Sequence, residues 1–394
     1  MASVVLLQHV LLHAAALGYV NNFPEADNAF GVKLPPRASV REDSFAFLVA
    51  DFGLPPPGTA PAAAGRASDG WSQVAPGKCC QTDVAEMMRA KREDLEAAGK
   101  SLLFVGAAGD NFYHSGLLDE DKGGELQWAR WSAVYAGLTD VPWFAAFGNH
   151  DLGDSDLYAT CPEKAPRVTI GGQAYASNQL DASKGGYRPP QGNTTAYHLP
   201  DFNYRTTLNA LNLEIYGIDQ NYKDVSGIGG NNSTHQRVNA VCGGGNGALG
   251  TRLAAIGHSG EALLASGAAK GASDPNSTRN VLVLQHYPGL CASLKAKFVA
   301  ALPAGEQQHL DFKCSFGHVH NTTCESGNAS ACEFAMIGGG GGCCATDVVN
   351  SQAGFGLLTF NRAGGMNIEL LRLGRHCNMA PMGYGGNGVS NNRQ

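Results

Sequence analysis

The sequence predicts an α/β protein whose chemistry sits at the carboxyl ends of its strands. Five short apolar runs, at residues 45–50, 102–105, 141–147, 281–284 and 312–316, read as buried strands. Each leads into a motif of polar, metal-capable side chains: Asp51-Phe52-Gly53, Gly109-Asp110-Asn111-Phe112-Tyr113, Gly148-Asn149-His150-Asp151, His286-Tyr287-Pro288 and Gly317-His318-Val319-His320. Helical stretches separate several of the runs, as crossover connections require. Open α/β sheets bind ligands outside the carboxyl ends of their strands, so these motifs are expected to converge on one edge.

The elements follow in order. Residues 54–77 are rich in Pro, Ala and Gly and read as a loop. Residues 83–100 have helical composition, with Met87, Met88 and Leu95 on one face, and return the chain to the strand at 102 as a βαβ unit. A second helix is expected over 125–135, carrying Leu126, Trp128, Trp131 and Val134. Residues 161–190 are polar and read as an inserted loop. Residues 195–199, 204–208 and 213–219 read as antiparallel strands, 227–250 as a loop and 253–269 as a helix. A closing hairpin is expected from 355–360 and 366–373 around Ala363-Gly364-Gly365. The expected organisation is a possible signal segment at 1–20, a catalytic domain at 44–374 and a Gly- and Asn-rich flexible tail at 378–394.

A chain of 394 residues with 43% hydrophobic residues can bury a large core, as one domain or two. The net charge of −6 gives no electrostatic footprint for nucleic acid. No segment is apolar enough to predict a membrane span. The 11 cysteines, with adjacent pairs Cys79-Cys80 and Cys343-Cys344 that lack zinc-finger spacing, point to an oxidising compartment. Their odd number leaves at least one unpaired within the chain, and Cys314, inside an apolar run, is the expected buried free thiol. Sequons begin at Asn193, Asn231, Asn232, Asn276, Asn321 and Asn328, so N-glycans are expected, though not at Asn321 beside His320. Residues 2–17 are apolar and Ala16-Leu17-Gly18 resembles a cleavage site, but no positive n-region precedes them. A signal segment is the expectation; a strand or helix of the fold, or a truncated start, is the alternative. Together these features predict secretion or a vacuolar or lysosomal location.

Carboxylate, imidazole, amide and phenolate donors together suit hard or borderline metals such as Fe, Zn and Mn. The donors outnumber what one ion needs, whereas two ions sharing a carboxylate would use them all. Paired ions suit hydrolysis of phosphate esters. Asp51-Phe52-Gly53 also matches the magnesium motif of kinases, but no His-Arg-Asp loop accompanies it. The glycines at 338–342 do not form a P-loop, since no Gly-Lys-Ser/Thr follows.

These motifs resemble the purple acid phosphatases, and most of all their small, tartrate-resistant type, within the calcineurin-like metallophosphoesterase superfamily. The resemblance runs from about residue 45 to 373. It includes Val141-Pro142-Trp143 and the glycine loop at 338–342, and its specific part is Tyr113 after Gly109-Asp110-Asn111-Phe112. It implies a four-layer αββα sandwich of two mixed β-sheets flanked by helices. It implies that Asp51, Asp110, Tyr113 and His320 hold Fe(III). Asp110 then bridges to a divalent Fe, Zn or Mn held also by Asn149, His286 and His318. His150, outside both metal shells, is the implied catalytic residue. The implied activity is hydrolysis of phosphate monoesters, in small phosphorylated substrates or phosphoproteins, by metal-bound hydroxide. A phosphodiesterase or nucleotide-hydrolysing relative, or a secreted metal-binding glycoprotein with little catalysis, are the alternatives. Two departures from the family pattern stand out: residues 290–297 contain no His, and Leu152 follows Asp151. Lys295, Lys297, His114 or His235 are candidates for the missing substrate-side function. Gln285 stands where the family usually has Gly.

Overall fold

The computed structural model describes residues 20–22, 42–53, 80–113, 125–152, 196–225, 248–271, 277–341 and 352–373. The expected loops at 54–77 and 161–190, most of the loop at 227–250, the segment before Val20 and the tail lie outside the described residues. So do Asn193, Asn231, Asn232 and Asn276.

Among the described residues thirteen strands form one sheet. They are β1 (Val20–Asn22), β2 (Ser44–Val49), β3 (Ser101–Ala108), β4 (Trp143–Ala146), β5 (Tyr197–His198), β6 (Asn203–Leu208) and β7 (Leu213–Gly217). Then come β8 (Arg279–Leu284), β9 (Leu310–Phe316), β10 (Thr322–Asn328), β11 (Ala331–Ile337), β12 (Gly354–Phe360) and β13 (Met366–Arg372). The helices are α1 (Cys80–Ala97), α2 (Glu125–Val134), the single turn α3 (Tyr222–Val225), α4 (Ala248–Ala269) and α5 (Cys291–Ala301). The hydrogen-bonded order is β1-β6-β7-β8-β9-β11-β13-β12-β2-β3-β4-β5, with β10 paired to β11.

This order corrects the expected αββα sandwich of two sheets. The strands belong to a single mixed, strongly curled sheet, with four helices of ten residues or more among the described residues. The join is β11, which runs parallel to β9 through Phe334↔Cys314 and antiparallel to β13 through Cys332↔Ile368. Twist accumulating across so many strands curls the sheet back on itself. A Cβ added at Gly106 on β3 would lie 3.0 Å from Leu284 on β8, so strands far apart in the sheet order face each other.

Alternation explains why β8 is central. Val281 and Val283 pack with Leu263 and Leu264 of α4 and Leu294 and Phe298 of α5, while Leu282 and Leu284 enter the larger core with Leu48. A strand buried on both faces is the pattern of parallel strands under helices. β2, β3 and β4 are parallel neighbours, as are β7, β8 and β9. β6 and β7 are antiparallel as expected, but β5 pairs parallel to β4, against expectation. The closing hairpin is β12–β13. The face of α1 is as expected, with Met88 buried and Met87 and Leu95 packed against the core. No helix of the described residues is long and apolar enough to cross a membrane.

Candidate metal centre

The loops after β2, β3, β4, β8 and β9 meet. Among the described residues only four non-glycine residues have positive φ, and three lie in these loops: Asp51 at 56°, Asp110 at 49° and His318 at 72°. Such conformations cost about 1–3 kcal/mol each and persist where surrounding structure over-determines them. Here the Asp51 amide donates to the Gly109 carbonyl, the Phe52 amide to the Asp110 carbonyl and the Gly317 amide to the His286 carbonyl. Two glycines permit the close approach. Gly109, at φ +91°, would place a Cβ 2.6 Å from His286 Nδ1, and a Cβ at Gly317 would lie 2.2 Å from Asp51 Oδ2.

The side chains form two groups of four that share Asp110. In the first, the Tyr113 hydroxyl lies 2.8 Å from Asp51 Oδ1, 3.0 Å from Asp110 Oδ2 and 3.1 Å from His320 Nε2. In the second, Asn149 Oδ1 lies 3.1 Å from His286 Nε2 and 3.0 Å from His318 Nδ1, while Asp110 Oδ1 lies 3.3 Å from His286 Nε2. The two oxygens of Asp110 therefore face different groups. Donors on one ion at ~2.1 Å stand about 3.0–3.4 Å apart in octahedral or tetrahedral geometry. The separations here match, and Asp51, Asp110 and His320 by themselves already form a cluster able to hold an ion. His286 is set up for such a role. Its Nδ1 lies 3.0 Å from the Ala108 carbonyl, to which it donates, and this directs Nε2 at Asn149 and Asp110.

No family model matches the chain. No curated protein matches it either. Among solved structures the chain is similar to GAP50, the anchor in the inner membrane complex of Plasmodium. That similarity has 13% identity and a TM-score of 0.42, over 83% of this chain and 84% of that chain.

Asp151 is a clamp that the sequence did not single out beyond its motif. It is fully buried. Its Oδ1 accepts the Asn111 and Phe112 amides at 2.9 and 3.1 Å, and its Oδ2 accepts Asn111 Nδ2 at 3.0 Å and the Gly148 amide at 2.8 Å. It ties the loop carrying Asp110 to the loop carrying Asn149. Asp151→Asn would set an amide NH2 against donors. Each stranded buried donor costs about 1–3 kcal/mol, so denaturant unfolding is expected to show a loss of about 3 kcal/mol. Unchanged stability would remove the clamp role.

The charges are coupled. Burial raises Asp51 to about 6, against the pull of His286 and His320. Burial also opposes the charge on Asp110, but His286, His150 and His318 outweigh it and hold that carboxyl well below the usual range. Burial would lower His286, yet Asp110, Asp51 and the Ala108 carbonyl raise it to about 10. A metal ligand must shed its proton. Filling of both groups by metal is therefore expected to release a proton from His286 at any pH below about 10, and another from Asp51 below about 6. Apparent affinity should fall on acidification, more steeply below that second value. Calorimetric titration in buffers of different ionisation enthalpy checks this, and pH-independent uptake would contradict it.

The remaining expectations divide. The backbone amide of His150 donates to Asp110 Oδ1 at 2.9 Å, its ring lies 4.6 Å from that of Tyr113, and its Nε2 is 3.9 Å from Asp110 Oδ2. It stands beside the donor groups, and both are complete without it. Lys295 pairs with Glu333 and Lys297 with Glu261, so each ammonium is engaged outside the cluster. His114 and His235 lie outside the described residues. The glycine loop is structural support: the Gly340 amide donates to the Ala50 carbonyl, and a Cβ at Gly338 would lie 2.8 Å from Asp51 Oδ2.

Cys314 is not free. It is bonded to Cys291, joining β9 to the start of α5, and Cys324 is bonded to Cys332 across the β10–β11 hairpin. Alternation along β9 puts Cys314 on the helix-facing side with Phe312 and Phe316, where Cys291 waits. Cys79-Cys80 and Cys343-Cys344 fall outside the described side chains. Asn321 Oδ1 accepts the Thr322 and Gln352 amides, and Asn328 Oδ1 holds the β10–β11 turn.

Proposed function

We propose that this chain hydrolyses phosphate monoesters at a centre of two metal ions. The carrying observation is the division of Asp110, with Oδ2 in the group of Asp51, Tyr113 and His320 and Oδ1 in the group of Asn149, His286 and His318. The first group, with its phenol, suits Fe(III), since anionic oxygen donors favour the higher charge. The second, with two imidazoles and an amide, suits a divalent Fe, Zn or Mn. When bound, such ions supply positive charge to phosphoryl oxygens and lower the pKa of a water.

The chain's own residues supply the rest. Asp110 fixes the two groups relative to each other. Asp51, His318 and Asp110 are held in a strained backbone arrangement before anything binds, which reduces the cost of ordering them. His150 Nε2, 3.9 Å from Asp110 Oδ2, is the group placed to orient the phosphoryl group or protonate the leaving oxygen. The two disulfides support a secretory route, since such bonds persist in oxidising compartments.

The test is turnover of the metal-loaded chain on phosphomonoesters and phosphodiesters. Preference for monoesters is expected; preference for diesters would favour a phosphodiesterase, and no turnover on either would favour a metal-binding protein. Tyr113 gives a second readout. The iron-loaded chain is expected to absorb in the visible through phenolate-to-iron charge transfer, and Tyr113→Phe to bleach that band while far-UV circular dichroism stays unchanged. A colourless iron-free chain with full activity would overturn the ferric assignment.

A further inference from the structure

Tyr287 has no part in the two donor groups, yet it packs against both imidazoles of the second. Its ring lies 5.2 Å from that of His286 and 4.9 Å from that of His318. It is buried and held from two sides. On the backbone side, Gln285 Oε1 accepts the Tyr287 amide at 2.7 Å, and Gln285 Nε2 donates to the Tyr287 carbonyl at 2.8 Å. On the far side, the Tyr287 hydroxyl donates to Asn221 Oδ1 at 2.7 Å.

Asn221 is in turn oriented by Asp219. Asp219 Oδ1 accepts both the Asn221 amide at 2.8 Å and Asn221 Nδ2 at 3.0 Å. Asp219 Oδ1 accepts from the NH2 of the Asn221 side chain as well as from its backbone amide, and this turns the Asn221 amide oxygen toward Tyr287. Asp219 and Asn221 are fully buried, just past the end of β7, where the Ile218 amide donates to the Leu284 carbonyl. The Asp219 amide donates to Asn203 Oδ1, and Asn203 Nδ2 donates to the Ile256 carbonyl on α4. The chain of contacts runs from α4 to the imidazole pair.

We infer that Asp219, Asn221 and Tyr287 are positioning residues that set the orientation of His286 and His318 for the second ion. This rests on the two-metal reading above. The Tyr287 ring meets both imidazoles, so the effect reaches the pair through their shared packing on one anchored ring. Partners of metal-ligating groups outside the ligand set typically change metal affinity ~10–100-fold when removed.

The test is titration of the full metal-free chain with Co(II), followed by its visible d–d absorption and by calorimetry. Tyr287→Phe keeps the ring and removes only the anchor. It is expected to weaken the second Co(II) by ~10–100-fold, to change the spectrum of that ion and to leave the first Co(II) unaffected. Asn221→Ala should do the same, and the double variant should be no worse than either single one, because both act through one hydroxyl. Additive losses, equal weakening of both ions, or an unchanged second ion in Tyr287→Phe would each overturn the inference while leaving the two-metal reading intact. A wild-type chain that takes up no Co(II) would overturn both.

Discussion

Asp110→Asn is expected to lose both metal ions and phosphomonoesterase activity together. Its two oxygens face two separate donor groups, and in the two-metal proposal each ion draws on its negative charge. Asn can offer one neutral oxygen to one group only, and its NH2 would face either Tyr113 or His286. The expected loss exceeds the ~10–100-fold that follows from removing an outer partner of a metal ligand. The backbone of residue 110 stays compatible, since Asn tolerates the left-handed conformation. The variant should therefore fold, which separates loss of metal from loss of structure. Metal analysis beside a turnover assay checks this, and a variant that keeps two ions and normal turnover would remove Asp110 as the bridge.

His150→Ala is expected to lower turnover by ~10²–10⁴-fold, the usual contribution of a positioned general acid or base. Both metals should stay bound, because neither donor group includes the His150 side chain. Removing the ring leaves the hydrogen bond that the backbone amide of residue 150 donates to Asp110 Oδ1 in place, so the Asp110 loop keeps its geometry. The loss should shrink for substrates with good leaving groups, which need less protonation. Equal losses across leaving groups would assign His150 to phosphate orientation. Unchanged turnover would mean that His150 has no catalytic part, and since Lys295 and Lys297 are engaged in ion pairs, neither is placed to substitute.

The five junctions of strand and motif were legible because each is local: an apolar run, then a turn with Gly or Pro, then donors. That is why metal-capable residues could be named at each junction, whereas their division into two groups came from the family resemblance and not from the local sequence. The closure of the sheet was not legible. It depends on β11 pairing with both β9 and β13, the latter at Cys332↔Ile368, and pairing between distant segments leaves no periodicity in either. The β10 sequence Thr322–Asn328 is polar and half exposed, so nothing in it reads as a strand. Helix α5 was not among the expected elements, because residues 290–297 stand out in the sequence only for their lack of a histidine. Cys314 was misread for a related reason. Its apolar neighbours announced burial, but its partner Cys291 becomes visible only once α5 is placed over β9. Asp151, Gln285 and Tyr287 stood within or beside the motifs, yet their work as clamps is set by bonds to loops and elements far away in sequence.

The most direct test of the two-metal centre is metal content and visible absorption of the purified full chain, with Asp110→Asn alongside. Two ions per chain, one of them iron with a band that Tyr113→Phe removes, are expected in the wild type and should be absent from the Asp110 variant. A wild-type chain that binds no transition metal, or binds it equally well without Asp110, would contradict the proposal at its centre.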